Sequence, residues 1–110
     1  MIEEIIQNYL RENAFPCYMS VPEKPSGNFC VLEKTGSSYK DGIFTATLAV
    51  QSYGSSDYAA AQLSHRVVQT MLDADTLPEI VSCALNTDYN FPDTTRKLPR
   101  YQAVFEVVHY

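Results

Sequence analysis

A chain of 110 residues, 45% apolar and 19% charged, fits one globular domain over residues 1–110 and excludes a disordered chain. Its net charge of −5 and pI near 4.8 exclude a protein that coats nucleic acid, which needs Lys and Arg against phosphate, but leave DNA free to slide past an acidic surface. No apolar run approaches the ~20 residues that span a bilayer, and the acidic start Met-Ile-Glu-Glu-Ile-Ile lacks the basic region of a secretion signal.

Ile2, Ile5, Ile6, Tyr9 and Leu10 recur at helical spacing, with Glu3 and Glu4 in the first turn where the helix dipole favours them. This is a short amphipathic helix, ended before Pro16. Cys17 to Val21 reads as a short strand, and Pro22 to Gly27 as a turn rich in proline and glycine. Phe29 to Lys34 alternates as a strand. The polar run Thr35 to Gly42 reads as a hairpin connection. Ile43 to Gln51 is the clearest strand, with Phe44, Ala46, Leu48 and Val50 on one face.

Ser55 or Ser56 is placed to cap a second helix that runs to about Leu72, with Asp57 in its first turn. Its expected apolar stripe is Tyr58, Ala60 or Ala61, Leu63, Val67, Met71 and Leu72. Ile80 to Leu85 reads as a strand, and Asn86 to Arg100 as a loop. Tyr101 to Tyr110 alternates, with Tyr101, Ala103, Phe105 and Val107 sharing a face. The expected order is α-β-β-β-α-β-β. That is an α+β domain, a mainly antiparallel sheet of about five strands with two helices packed on one face.

No catalytic constellation emerges. His65 and His109 belong to no metal-binding spacing. Cys17, Cys30 and Cys83 are odd in number and form no CxxC pair, so they read as buried free thiols of a reducing cytoplasm. No glycine pattern cradles phosphate, and Asp73-Ala74-Asp75 lacks the rest of a calcium loop. These residues indicate no enzyme, no cofactor and no metal. The rival class is a small cytoplasmic enzyme or ligand-binding domain, which would require a concave pocket with converging polar groups, such as a cysteine meeting a histidine.

The one basic cluster is Arg96, Lys97 and Arg100, beside Tyr89, Phe91 and Leu98. Aromatic and arginine side chains on a loop held by two strands suit a contact surface. The expected interface residues are Tyr39 and Lys40 on one loop, and Phe91, Arg96, Lys97 and Arg100 on the other.

The segments Gln51-Ser52-Tyr53-Gly54-Ser55-Ser56-Asp57-Tyr58, Thr87-Asp88-Tyr89-Asn90-Phe91-Pro92-Asp93 and Tyr101-Gln102-Ala103-Val104-Phe105-Glu106-Val107-Val108-His109-Tyr110 carry a resemblance. With the helix and the Val21-Pro22-Glu23-Lys24-Pro25 turn, the chain resembles tail-terminator, tail-completion or minor capsid proteins of long-tailed phages and prophages of Gram-positive bacteria. Each motif is a structural junction, not a catalytic signature. The resemblance implies a virion protein of the tail or neck, assembled in the host bacterial cytoplasm. It implies a ring, usually of six copies, that caps the tail tube and docks to the head connector. A neck or head-completion adaptor is the neighbouring reading. Partners would then be further copies of the chain, the tail tube protein and the connector, with DNA passing through unbound and no membrane involved. Six copies at −5 give −30, an acidic ring compatible with DNA transit.

Overall fold

The computed structural model describes residues 1–25 and 27–110; Ser26, inside the expected Pro22 to Gly27 turn, lies outside the described residues. The elements are α1 (Ile2–Glu12), β1 (Cys17–Tyr18), β2 (Phe29–Lys40), β3 (Ile43–Tyr53), α2 (Asp57–Met71), a 3-10 turn (Ala74–Thr76), β4 (Ile80–Asn90) and β5 (Arg100–His109). They build a mixed α+β fold in the expected order. The five strands form one sheet, ordered β1-β2-β3-β5-β4. All pairings are antiparallel except the two-residue pairing of β1 with β2.

Both helices lie on one face of the sheet and enclose the main core. Ile2, Ile6 and Leu10 recur every four residues along α1, and Leu63, Val67 and Met71 along α2, so each helix presents one buried stripe. They meet Leu32 of β2, Leu48 and Val50 of β3, and Ala103, Phe105 and Val107 of β5, all buried. Burying each of these side chains larger than alanine contributes about 1.5–3 kcal/mol. No helix among the described residues is long and apolar enough to cross a membrane.

Several expected boundaries move. The first strand stops at Tyr18 instead of Val21. The Thr35 to Gly42 connection is mostly strand: β2 runs on to Lys40, and only Asp41 and Gly42 turn. Both adopt positive φ, 52° and 82°, as the tight hairpin turn matching strand twist requires. Likewise β4 continues through the polar residues Asn86 to Asn90, so the loop before β5 shrinks to Phe91–Pro99. Tyr58 is 73% exposed and outside the stripe of α2, because it sits two residues from buried Ala60 and so on the opposite side of the helix. Leu72, 44% exposed, falls just past the helix end.

The strand-to-helix junction is tightly packed. Ser56 caps α2 by accepting the Ala59 N–H at 3.0 Å. A Cβ on Gly54 would stand 2.5 Å from the Ala60 nitrogen, so only glycine lets the junction close this far.

Candidate functional site

Strand pairing carries the expected contact residues to opposite ends of the sheet. Tyr39 and Lys40 pair with Phe44 and Ile43 at the hairpin end, and Phe44 pairs with His109 at the end of β5. Arg100 begins β5, and its carbonyl accepts the Phe91 N–H at 2.9 Å. The length of β5 thus separates the two groups by about 30 Å at ordinary strand rise. Tyr39 and Lys40 are brought together at one end, and Phe91, Arg96, Lys97 and Arg100 at the other.

At the loop end an aromatic row crosses the sheet. Tyr18 meets Phe29 edge-on at 6.1 Å, and Phe29 stacks on Tyr53 at 4.6 Å. The Arg100 guanidinium lies 5.7 Å from the Tyr53 ring centre and 4.4 Å from that of Phe91, which in turn meets Tyr89. The middle of the row is buried under Val21 and Leu98. Its outer members Tyr18, Tyr89 and Phe91 remain about 40% exposed.

Asp93 holds this end together. Its carboxylate is 4% exposed and accepts the Tyr53 hydroxyl at 2.9 Å, the Arg96 backbone N–H at 3.1 Å and the Arg96 guanidinium at 3.2 Å, with Arg100 Nη1 at 3.8 Å. The backbones of Asp93 and Leu98 exchange two hydrogen bonds that close a tight loop. Burial pushes the Asp93 carboxyl up. The Arg96 N–H, the Tyr53 hydroxyl and the two guanidiniums outweigh it, and the net effect holds the group below the usual carboxylate range. Burial, and after it the bond to Asp93, raise the Tyr53 hydroxyl against the opposing pull of Arg100.

The basic cluster is therefore divided. Arg100 is 14% exposed in its side chain and donates to the Phe91 carbonyl at 2.7 Å and the Tyr53 oxygen at 3.1 Å. Arg96 spends one side of its guanidinium on Asp93. Lys97 is exposed and makes no ion pair among the described residues. It adopts a left-handed φ of 56° that glycine would hold with less strain.

At the hairpin end, Tyr39 packs on Phe44 at 4.7 Å, and Phe44 stacks on His109 at 5.4 Å with rings 12° apart. Tyr39 is 62% and Phe44 40% exposed. Between the ends, the sheet face away from the helices carries a hydrogen-bonded row. Gln51 donates to Gln102 at 2.9 Å, and Gln102 donates to the Tyr89 hydroxyl.

Sequence reasoning missed Asp93, Tyr53, Phe44 and His109 as members of these ends. A signal existed for Asp93. An aspartate that opens a polar turn accepts backbone N–H groups a few residues on. The thiols are held protonated by burial: Cys30 is pushed up to about 12, and Cys17 and Cys83 to about 11. His65 is exposed on α2, and the His109 ring nitrogen lies 3.1 Å from the Tyr110 carbonyl oxygen. No protein-family model matches the chain, and no curated protein does.

Proposed function

We propose that the chain is a structural subunit of a phage head–tail joint, a tail-terminator protein that forms a ring, closes the tail tube and docks to the head connector. The observation that carries this reading is the separation of two exposed aromatic surfaces at opposite ends of one stiff sheet, Tyr39–Phe44–His109 and Tyr89–Phe91–Arg100. A subunit that holds one partner above and another below needs two such surfaces, and a continuous sheet keeps their spacing constant. Aromatic and arginine side chains are the groups that anchor protein interfaces. Thiols pushed to about 11 or 12 are poor nucleophiles at neutral pH, which favours this reading over thiol catalysis.

The mechanism follows from placement. Each copy sits in the ring with its strands along the tail axis, so one aromatic end meets the tube and the other the connector. The acidic surface faces passing DNA without binding it. The test uses one variant per end, Phe44→Ser and Phe91→Ser, in sedimentation with tail tubes and, separately, with head connectors. Each variant should lose one partner and keep the other. Retention of both partners by both variants would sink the reading. Binding to connectors alone by the unaltered chain would move the protein to the neck, as a head-completion adaptor.

A further inference from the structure

The sheet has two open edges. β4 is the last strand on one side. On the other side β1 covers only Cys30 and Val31 of β2, so Glu33 to Lys40 pairs with no strand on its outer side among the described residues. Open edges are usually blunted by lysine, proline or a covering element. β4 has eleven residues, no lysine, no proline and one charge, Asp88.

We infer that the free edge of β2 in one copy pairs antiparallel with β4 of the next copy, extending one sheet from subunit to subunit. The proposal names the lateral partner of the ring proposed above and rests on that reading for closure. Strand direction permits it. β2 and β5 run one way and β3 and β4 the other, so joining copies head to tail sets β2 against β4 antiparallel, with all helices on one side.

The register follows from matching irregularities. In β2 the pairing shifts between Lys34 and Gly36, so Lys34 and Ser37, three residues apart, lie opposite Leu48 and Ala46 on the helix side. In β4 it shifts between Leu85 and Thr87, so Leu85 and Asp88, also three apart, lie opposite Phe105 and Ala103 on that same side. A side-chain period of two allows this only where an extra residue is inserted. β4 shifts a second time between Ile80 and Ser82, beyond the last pair set out below, so within the paired span each free edge changes phase once. Setting Lys34 against Asp88 and Ser37 against Leu85 makes the two changes coincide, and every flanking pair then matches in face. Tyr39 meets Cys83 on the helix side. Glu33 meets Tyr89, Ser38 meets Ala84 and Lys40 meets Ser82 on the other.

Charge selects this pairing over its rivals. It sets the one charge of β4 against a lysine whose only ion pair among the described residues, with Glu3, is loose at 3.8 Å. Joining two β4 edges about a two-fold axis would also match faces, but it would set Asp88 against Leu85. Joining two β2 edges would set Lys34 against Ser37. Head-to-tail pairing engages both edges of every copy, the heterologous contact a ring needs, and the rotation per copy then decides between a closed ring and an open filament.

The test is disulfide trapping in a Cys83→Ser background, since Cys17 and Cys30 are buried. The variant carrying Ser38→Cys and Ala84→Cys, oxidised in concentrated solution, should give a ladder of covalent oligomers. Either substitution alone should give none, and Ser38→Cys with Thr87→Cys should crosslink about tenfold less. Lys34→Asp or Asp88→Lys should each suppress the ladder, and the two together should restore it. No ladder, or a product that stops at the dimer, would overturn the pairing. A missing ladder from protein that still caps tail tubes would overturn the pairing and leave the terminator reading standing. A ladder from protein that ignores tubes would support the pairing and overturn the terminator reading.

Discussion

Replacing Asp93 by Asn tests whether this carboxylate organises the loop end. The substitution keeps shape and removes charge. It weakens the bonds from the Tyr53 hydroxyl at 2.9 Å and the Arg96 N–H at 3.1 Å, and leaves Arg100, 14% exposed, without its anion. Hydrogen bonds to a charged acceptor contribute about 1.5–3 kcal/mol each, and the asparagine amide oxygen, which still accepts, retains part of that. The Arg96 guanidinium, 48% exposed, adds little. A loss of about 2–3 kcal/mol results, or roughly 8–12 °C in Tm for a domain of this size. The pH dependence has a definite sign. The carboxyl is depressed in the folded state, so its contribution is fully present above the ordinary value of 3.8 and is lost as pH falls through the lower folded value. Thermal unfolding followed by circular dichroism at pH 7 and from pH 5 downward reads both effects. The Asn variant should lie below the wild type at pH 7 and converge on it in acid. A Tm change under 2 °C at pH 7, or a gap that persists unchanged at the lowest pH, would refute the assignment.

Three further outcomes are expected. Gly54→Ala should cost more than about 3 kcal/mol in urea unfolding, because the added methyl meets the Ala60 nitrogen at 2.5 Å and neither backbone can yield. Ser64→Ala should be neutral or stabilise by up to about 1 kcal/mol, since the buried Ser64 hydroxyl has no hydrogen-bond partner among the described residues and alanine is the better helix former. Lys97→Gly should stabilise slightly, by about 0.5–1 kcal/mol, through relief of its left-handed backbone; a destabilisation above 1 kcal/mol would contradict that reason.

The elements that announced themselves in the sequence are those whose side chains alternate between core and solvent. Ile2-Ile6-Leu10 and Leu63-Val67-Met71 carry a helical period, and Ala46-Leu48-Val50 and Ala103-Phe105-Val107 a strand period. Where both faces of a strand are wet, that signal vanishes. Thr35 to Lys40 and Asn86 to Asn90 are polar and exposed throughout, and they are strands because neighbouring backbones supply their hydrogen bonds. The short Asp41-Gly42 turn was hidden by the polar run before it. At the loop end, the aromatic and basic composition of Phe91 to Arg100 was legible, but its internal wiring was not. Asp93 reaches Tyr53 across 40 residues of sequence, and no local pattern records that contact. Composition alone therefore presented Arg96 and Arg100 as outward anchors, while the folded loop engages both on Asp93.

The proposed ring cap is tested most directly by negative-stain microscopy of purified protein mixed with growing tail tubes of the matching phage. Density at one tube end, with tube length constant from the moment of addition, is the expected result. Bare ends on tubes that continue to lengthen would contradict the terminator assignment.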